Sequence, residues 1–365
     1  MEQDSRQRFL TALSVKQPDR IPIWENNIDE ASIIKLYELM SGEATGVQER
    51  NFGWDRGKEV LELYCRIVEE FEFDATSSMY TVGLKEIGPG LVKDKYGVTF
   101  KLSEHSEAVV AEAAIQEPAD LRGYEMVSQL NVEEDCRGTL FLLDRLGTSK
   151  SHVFDILDPF KVSWYLRGGM ENLLIDYYIN PAFVHDLARV STDHILATVD
   201  IASKLKVDAV AMIGDIAGND VPLMSPDHYR EFIKPYQKEI VTYAHSRGLK
   251  VIKHSDGNLD QIMADIVDVG FDGLHPIQPQ CMDIAQVKAC YGNRICLLGN
   301  IDCEQLLCTG AEAEVEKQVL ETMRICRPGG GYIVCSSNSI HAGVSPANYR
   351  VMLRTARAHA AYKEE

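Results

Sequence analysis

Three neighbouring segments carry the strongest signal of secondary structure: VDAVAMIG (207–214), SPDHYREFIKPYQKEI (225–240) and LKVIK (249–253). The first segment is short and almost continuously apolar, which is typical of a strand buried on both faces of a parallel sheet. In the second segment, Ser225 supplies an N-cap and Pro226 a first-turn proline, while Pro235 predicts a kink. The third segment is again a short strand. The stretch therefore predicts a strand–helix–strand unit.

The same alternation continues toward the C-terminus. We predict a helix capped by Asn258, a strand over Phe271–Pro276, a helix over Asp283–Cys290, a strand over Ile295–Gly299, a helix over Ala311–Cys326, a strand over Tyr332–Cys335 and a last helix from about Pro346 to Tyr362. At least five consecutive strand–helix units require a parallel sheet with right-handed crossovers.

The N-terminal half is less regular. An amphipathic opening helix precedes a short strand over Ile21–Trp24, and Leu91–Lys101 is expected to form a β-hairpin around Tyr96 and Gly97. No repeat or linker marks a domain boundary. We therefore predict one α/β domain over residues 1–365: a (β/α)8 TIM barrel with an N-terminal helical extension and a hairpin inserted near 91–101. A doubly wound sheet is the competitor, but no G-x-G-x-x-G follows an early strand.

Composition excludes several classes of function. The chain has 365 residues, with 37 Lys and Arg against 55 Asp and Glu, so its net charge of −18 disfavours nucleic acid and anionic lipid as partners. No segment is long and apolar enough for a membrane span. Nine cysteines, an odd number, follow an N-terminus unlike a signal peptide, which indicates reduced thiols and a cytoplasmic location. Sequence signatures of P-loop, serine esterase and zincin chemistry are missing.

Polar side chains gather where the predicted strands end, which is where a barrel carries its active site. His254 and Asp256 stand two residues apart after one strand, and imidazole with carboxylate is a competent zinc pair. The alternative is that Asp256 only shapes the turn. Cys335 closes the last strand as a possible third ligand or as inert packing. Asp215 follows the strand that begins at Val207, where it could bind substrate or metal, or only form a turn.

Further candidates follow the first strand. Glu25 stands beside Trp24, and desolvation there could raise its pKa and make it a proton donor. Trp24 and Asn26, with Asn338 after the last strand, are the residues that we expect to contact a substrate. Each of them could equally serve packing or turn formation.

These residues resemble one family. The segments RFL (8–10), PDRIP (18–22), GD (214–215), MSP (224–226), HSDGN (254–258), GNID (299–302) and GGGY (329–332) are similar to the uroporphyrinogen decarboxylase-like superfamily. The resemblance is closest from Val207 to the C-terminus, and it implies a (β/α)8 barrel. It also implies one of two chemistries: cofactor-free decarboxylation of uroporphyrinogen, or zinc-dependent methyl transfer with a corrinoid protein.

The decarboxylases carry an arginine-rich R-Q-A-G-R segment after the first strand, whereas this chain has no arginine between Arg20 and Arg50. Without it, the carboxylates of uroporphyrinogen would lack their bidentate partners. The methyltransferases of the coenzyme M type have H-x-C and a distant cysteine, and here Asp256 takes the middle position. With this departure, the chain resembles the methyltransferase I component of anaerobic O-demethylase systems. A zinc ion held by a carboxylate would be a stronger Lewis acid, which suits the activation of an ether oxygen.

The resemblance thus implies a zinc site of His254, Asp256 and Cys335, with Asn338 as an alternative to the cysteine. Glu25 or Asp215 would donate a proton to, or orient, the departing phenolate. The methyl group of a methoxylated aromatic compound would pass to the Co(I) corrinoid of a partner protein, because the corrinoid-carrier motif D-x-H-x-x-G is absent from this chain. Uroporphyrinogen decarboxylation and methylcobalamin:thiol methyl transfer stay open as alternative activities.

Overall fold

The computed structural model describes residues 2–47, 54–102 and 108–362. Its strands are β1 (Ala75–Met79), β2 (Leu84–Gly88), β3 (Leu91–Asp94), β4 (Thr99–Lys101), β5 (Val109–Glu112), β6 (Ser151–Leu157), β7 (Ala209–Ile213), β8 (Lys250–His254), β9 (Gly273–His275), β10 (Cys296–Ile301) and β11 (Tyr332–Ser336). β1 and β6 to β11 form a seven-stranded sheet in which all neighbours are parallel and follow chain order. The predicted α/β class with a parallel sheet is confirmed.

Residues 22–24 form hydrogen bonds at both edges of this sheet. Trp24 donates its N–H to the Val334 carbonyl on β11 (3.2 Å), and Val334 in turn donates to Pro22 (3.0 Å). On the other side, the Asp74 N–H next to β1 donates to Ile23 (2.8 Å). The predicted strand over Ile21–Trp24 is reduced to a bridge at Ile23, because Pro22 has no N–H to extend the ladder. The segment nevertheless takes the eighth position of the barrel.

The helices lie outside the sheet, apart from the first one. They are α1 (Ser5–Leu13), α2 (Glu30–Ser41), α3 (Trp54–Glu70), α4 (Val132–Asp135), α5 (Arg137–Leu146), α6 (Pro159–Leu166), α7 (Met170–Ile179), α8 (Pro181–Leu205), α9 (Pro226–Phe232), α10 (Lys234–Ser246), α11 (Met263–Val269), α12 (Ile284–Tyr291), α13 (Leu306–Thr309), α14 (Glu312–Cys326) and α15 (Pro346–Ala358). No helix within the described ranges has the length and apolarity of a membrane span.

Helix α1 covers the barrel interior. Phe9, Ala12 and Leu13 of α1 are fully or almost fully buried, and they belong to one apolar cluster with inward-facing residues of the strands. The strand members of that cluster are Ala75, Val153, Ala209, Ala211, Ile252, Cys296, Leu298, Ile333 and Cys335. Where one strand contributes two of them, they stand two residues apart, which is the spacing of side chains on one face of a sheet. The interior of the barrel is therefore a packed core, and a site can lie only above it.

The inserted hairpin belongs to a larger unit. β3 and β4 pair in antiparallel fashion across the turn at Gly97, as the sequence predicts, and β2 and β5 extend them to a four-stranded sheet. Gly97 has a φ of +93°, which a residue with a side chain rarely adopts.

The helix that begins at Ser225 is broken where the sequence predicts a kink. The Ser225 side chain accepts the His228 N–H as the N-cap, and α9 ends at Phe232 before α10 begins at Lys234. Pro235, in the first turn of α10, offers no N–H for the preceding turn. The helix predicted after Asn258 begins with a single 3-10 turn over Asp260–Ile262.

Candidate metal centre and cavity

Three side chains from the ends of β7 and β8 meet above the barrel core. The Nε2 atom of His254 lies 3.7 Å from Asp215 Oδ1 and 4.0 Å from Asp256 Oδ1. One ligand atom from each residue lies within 4.8 Å of the others, so the group could hold a metal ion. Imidazole nitrogen with two carboxylate oxygens is a donor set that suits zinc.

The loop after β8 fixes Asp256 in this position. Gly257 has a φ of +87°, and a Cβ at this residue would lie 2.5 Å from the carbonyl oxygen of Gly218. The Asp256 N–H donates to Asp215 Oδ1 at 3.0 Å, which ties the two acidic loops together. The close approach of two backbones therefore requires glycine here.

Burial keeps the His254 ring neutral. Burial, together with the positive charges of Lys253 and Lys161, lowers the pKa of His254 to about 3. Its Nδ1 atom lies 2.7 Å from Nδ1 of the buried His275. A neutral ring with one nitrogen held by a hydrogen bond presents its other nitrogen to a metal. The role of His275 could not be predicted from the sequence, because it depends on contact with His254 on the neighbouring strand β8.

Lys253, which precedes His254, faces away from this group. Its Nζ atom is fully buried, and it bonds to Asp158 Oδ2 (2.8 Å) and to the carbonyl oxygen of Gly214 (2.6 Å). This ion pair joins the end of β8 to the loop before α6.

The two predicted asparagines lie at the site. Asn338 donates through Nδ2 to Asp256 Oδ2 at 2.5 Å, so it orients a member of the group. Asn26 lines the adjoining cavity, and its buried Oδ1 atom has no hydrogen-bond partner. Both residues line the cavity, and their role as substrate-binding residues stays a prediction.

The structure does not bring Cys335 into the group. Its side chain is fully buried in the apolar cluster inside the barrel, beside Ala211 and Ile252. Burial also raises the pKa of its thiol well above the usual range. The cysteine faces inward, but it lies within the packed core and not at the barrel mouth. Asp215 takes the third place instead.

Trp24 also belongs to the core. It is fully buried, and its Nε1 atom donates to Ser77 Oγ at 2.9 Å. Its ring packs edge-on against His275 at a centroid distance of 5.4 Å, so it supports the histidine pair from below. It is not among the described residues that line the cavity, and the expected stacking of Trp24 on a substrate is not supported.

Glu25 points to the other side of its segment from Trp24, because side chains alternate along extended backbone. Its carboxyl group accepts the N–H (3.0 Å) and the hydroxyl (2.7 Å) of Ser336 on β11. Burial raises the pKa of Glu25 to about 8, although the bonds from Ser336 lower it. The raised pKa agrees with the sequence argument, but Glu25 does not line the cavity. It anchors the closing segment and is not placed to donate a proton to a substrate.

The cavity beside the group has a volume of about 750 Å³ and opens to solvent. Its lining includes the three candidate ligands and the two asparagines. It also includes a group of aromatic and apolar side chains, Tyr80, Tyr96, Phe100, Met126 and Tyr165. Tyr80 directly follows β1, Tyr96 and Phe100 lie in the β3–β4 hairpin, Tyr165 is on α6, and Met126 lies in the segment before α4. No local sequence motif connects such distant segments, so most of this aromatic group could not be predicted from the sequence.

Comparisons with known proteins agree with this architecture. The model of the family described as uroporphyrinogen decarboxylase (URO-D) matches residues 4–359. The methylcobamide:CoM methyltransferase MtaA of Methanosarcina barkeri is 28% identical over 146 residues, which are 39% of this chain and 41% of that protein. A uroporphyrinogen decarboxylase of Aeromonas salmonicida is 23% identical over 371 residues, covering 97% of this chain and 96% of that protein.

A solved structure, a methyltransferase from Methanosarcina mazei, superposes with a TM-score of 0.76 and 16% identity. It covers 98% of this chain and 99% of its own chain. At that identity the likeness shows the fold alone. The match to MtaA spans about two fifths of that relative, so the activity of the whole relative does not transfer by similarity.

Proposed function

Because this chain belongs to the uroporphyrinogen decarboxylase family, we propose that it is a zinc-dependent methyltransferase. It moves a methyl group from a methoxylated aromatic compound to the Co(I) corrinoid of a partner protein. The chain is related to corrinoid-dependent methyltransferases through MtaA. The observation that carries the proposal is the group of Asp215, His254 and Asp256 at the edge of a largely aromatic cavity.

The donor set fits a zinc ion. His254 is neutral and is oriented by His275, and the carboxylates of Asp215 and Asp256 bring the negative charge that a divalent ion neutralises. When bound, zinc supplies Lewis acidity toward an oxygen atom that is gaining negative charge. Two hard carboxylates in place of thiolates favour oxygen as the atom that is activated.

The residues of the chain position a small aromatic molecule against this group. A volume of about 750 Å³ lies within the range of small-molecule sites. Tyr80 and Tyr165 offer ring faces or edges to an aromatic ring. Asn338 orients Asp256, and Asn26, which also lines the cavity, has a buried amide oxygen without a hydrogen-bond partner. The candidate zinc ligands and the aromatic side chains line the same cavity, so a bound ring would lie within reach of both.

The methyl acceptor must come from outside. The chain has no D-x-H-x-x-G motif with which to hold its own corrinoid, and the open mouth of the cavity leaves an approach for another protein. We propose a separate corrinoid protein as the partner, and the cytoplasm as the location. The nine cysteines are all unpaired, which agrees with a reducing compartment.

Uroporphyrinogen decarboxylation fits the cavity less well. Among the described residues that line it are four aspartates, Asp94, Asp155, Asp215 and Asp256, against one lysine, Lys161. A substrate with many carboxylates would find no arginine for bidentate pairing among the described lining residues. Methyl transfer to a thiol is the second candidate, because the relative MtaA is named a methylcobamide:CoM methyltransferase.

The test is methyl transfer in a defined mixture. Zinc-loaded protein, 2-methoxyphenol and a corrinoid protein reduced to Co(I) should give methylcobalamin and catechol in equal amounts, followed by the corrinoid spectrum. Asp256→Asn keeps the size of the side chain and should abolish transfer, whereas the control Asp186→Asn, on the exposed face of α8, should not change it.

Two results would overturn the proposal. Release of CO2 from uroporphyrinogen at a rate typical of decarboxylases would assign the other chemistry, and demethylation without any corrinoid would remove the proposed role of the partner protein. Transfer from a methylated thiol or amine, with none from a panel of methoxyaromatic compounds, would keep the partner and replace the substrate class.

A further inference from the structure

One acidic side chain on the cavity wall lies outside the candidate metal centre. Asp155 is on β6, with Met79 of β1 and Ala211 of β7 as its neighbours across the sheet. It lines the cavity, although only 5% of its surface is exposed. Val153, two residues earlier on the same strand, faces the barrel core, so Asp155 points inward just above the core.

Its carboxyl group has an unpartnered oxygen atom. Within residues 2–47, 54–102 and 108–362, no group bonds to the buried Oδ1 atom of Asp155. Burial raises the pKa of Asp155 well above its usual range, and no cation or N–H group among these described residues offsets this effect. An unpartnered buried acid takes up a proton at neutral pH, since its charged form has nothing to stabilise it.

A neighbouring aspartate shows the contrast. Asp158, three residues later and fully buried, is bonded by the ammonium group of Lys253 at 2.8 Å and by the Gln237 amide at 2.6 Å. The same region of the fold thus neutralises one buried carboxylate with a lysine and leaves the other facing the cavity. Leaving a buried polar group unpaired costs stability, which is tolerated where a ligand supplies the missing partner.

We propose that Asp155 is an uncharged carboxylic acid that donates a hydrogen bond to an oxygen atom of the molecule bound in this cavity. The inference rests on the proposed function, and it adds a specificity residue: the site selects a neutral aromatic ligand that carries an oxygen acceptor. A cationic ligand, such as a quaternary ammonium compound, would need Asp155 as a carboxylate. A neutral ligand with an oxygen acceptor therefore requires Asp155 to be protonated, and a cationic ligand requires it to be ionised.

The test compares Asp155→Asn with Asp155→Leu in the zinc-loaded protein, by calorimetric binding without corrinoid. Asparagine has a hydrogen-bond donor and cannot be charged. Leucine has a similar size and has no hydrogen-bond donor. Asp155→Asn should bind 2-methoxyphenol within a few-fold of the native protein, and Asp155→Leu about tenfold more weakly. Ethylbenzene, which has no oxygen, should bind both variants alike.

Equal losses of 2-methoxyphenol binding in both variants would mean that the charge matters, and would overturn the inference. So would tight binding of benzyltrimethylammonium that Asp155→Asn abolishes. Unchanged binding in both variants would also overturn it, while leaving the proposed function intact. A native protein that binds no methoxyphenol would contradict both.

Infrared difference spectroscopy reports the protonation state of Asp155 itself. It does not depend on whether Asp155→Leu folds. The native protein should show the carbonyl band of a protonated carboxyl group that is missing in Asp155→Asn and that shifts when 2-methoxyphenol binds. Absence of this band at neutral pH would overturn the inference.

Discussion

Replacing Glu25 by glutamine should remove a pH-dependent loss of stability. Burial raises the pKa of Glu25 in the folded protein from 4.5 to about 8. A group with a raised folded pKa contributes stability that is fully present below the unfolded pKa and is lost as the pH rises through the folded pKa. The native protein should therefore become less stable between about pH 4.5 and pH 8 on account of this group.

The rise from 4.5 to about 8 corresponds to about 5 kcal/mol at about 1.36 kcal/mol per pH unit. Glutamine cannot ionise, and its amide can still accept the Ser336 N–H. As the pH rises from about 4.5 to about 8, the unfolding free energy of Glu25→Gln should therefore increase relative to that of the native protein. The total change should be at most about 5 kcal/mol. Subtracting the two curves cancels the titrations that both proteins share.

The assay is urea denaturation at a series of pH values, with the exposed Glu321→Gln on α14 as the control that should follow the native curve. A difference that does not change with pH would refute the reasoning. Methyl transfer by Glu25→Gln should stay near the native rate, because Glu25 does not line the cavity. If the variant were folded but no longer transferred the methyl group, Glu25 would again be the candidate proton donor.

Three further substitutions test the surroundings of the site. His275→Phe removes the hydrogen bond that orients the metal-facing histidine, and zinc should bind about 10- to 100-fold more weakly in competition with a chelator. Lys253→Met leaves Asp158 buried without its cation, and the unfolding free energy from urea titration should fall by about 3–5 kcal/mol. Gly257→Ala should weaken zinc binding, because its Cβ would lie 2.5 Å from a neighbouring carbonyl oxygen. The control Gly90→Ala has a φ of +68° and no atom within 4 Å of its Cβ, so it should leave zinc binding unchanged.

The C-terminal half of the fold could be predicted because its signals are local. Ser225 caps α9, and the predicted kink at Pro235 coincides with the break before α10. The run that becomes β7 is short, buried and apolar, and β8 has a buried apolar centre of Val251 and Ile252. β1 and β6 were not identified from the sequence. β1 reads Ala-Thr-Ser-Ser-Met, and its polar residues contact partners that only the fold brings near.

The candidate site was predictable in part for the same reason. His254, Asp256 and Asp215 stand at strand ends, and parallel strands bring those ends to one side of the barrel. Cys335 also stands near a strand end, but its depth depends on the register between β10 and β11, in which it pairs with Asn300. Register is set by long-range packing, which one strand's sequence does not encode. The same holds for Asp155, whose isolation depends on which side chains surround it.

X-ray absorption at the zinc edge can identify the ligands of the proposed site. We expect zinc to bind Asp215, His254 and Asp256, while Cys335 stays in the apolar core. The spectrum of zinc-loaded protein should therefore show a shell of nitrogen and oxygen atoms at about 2.0–2.2 Å, with the multiple scattering of one imidazole and no sulfur. A zinc–sulfur distance of about 2.3 Å, or a shell without imidazole, would contradict it.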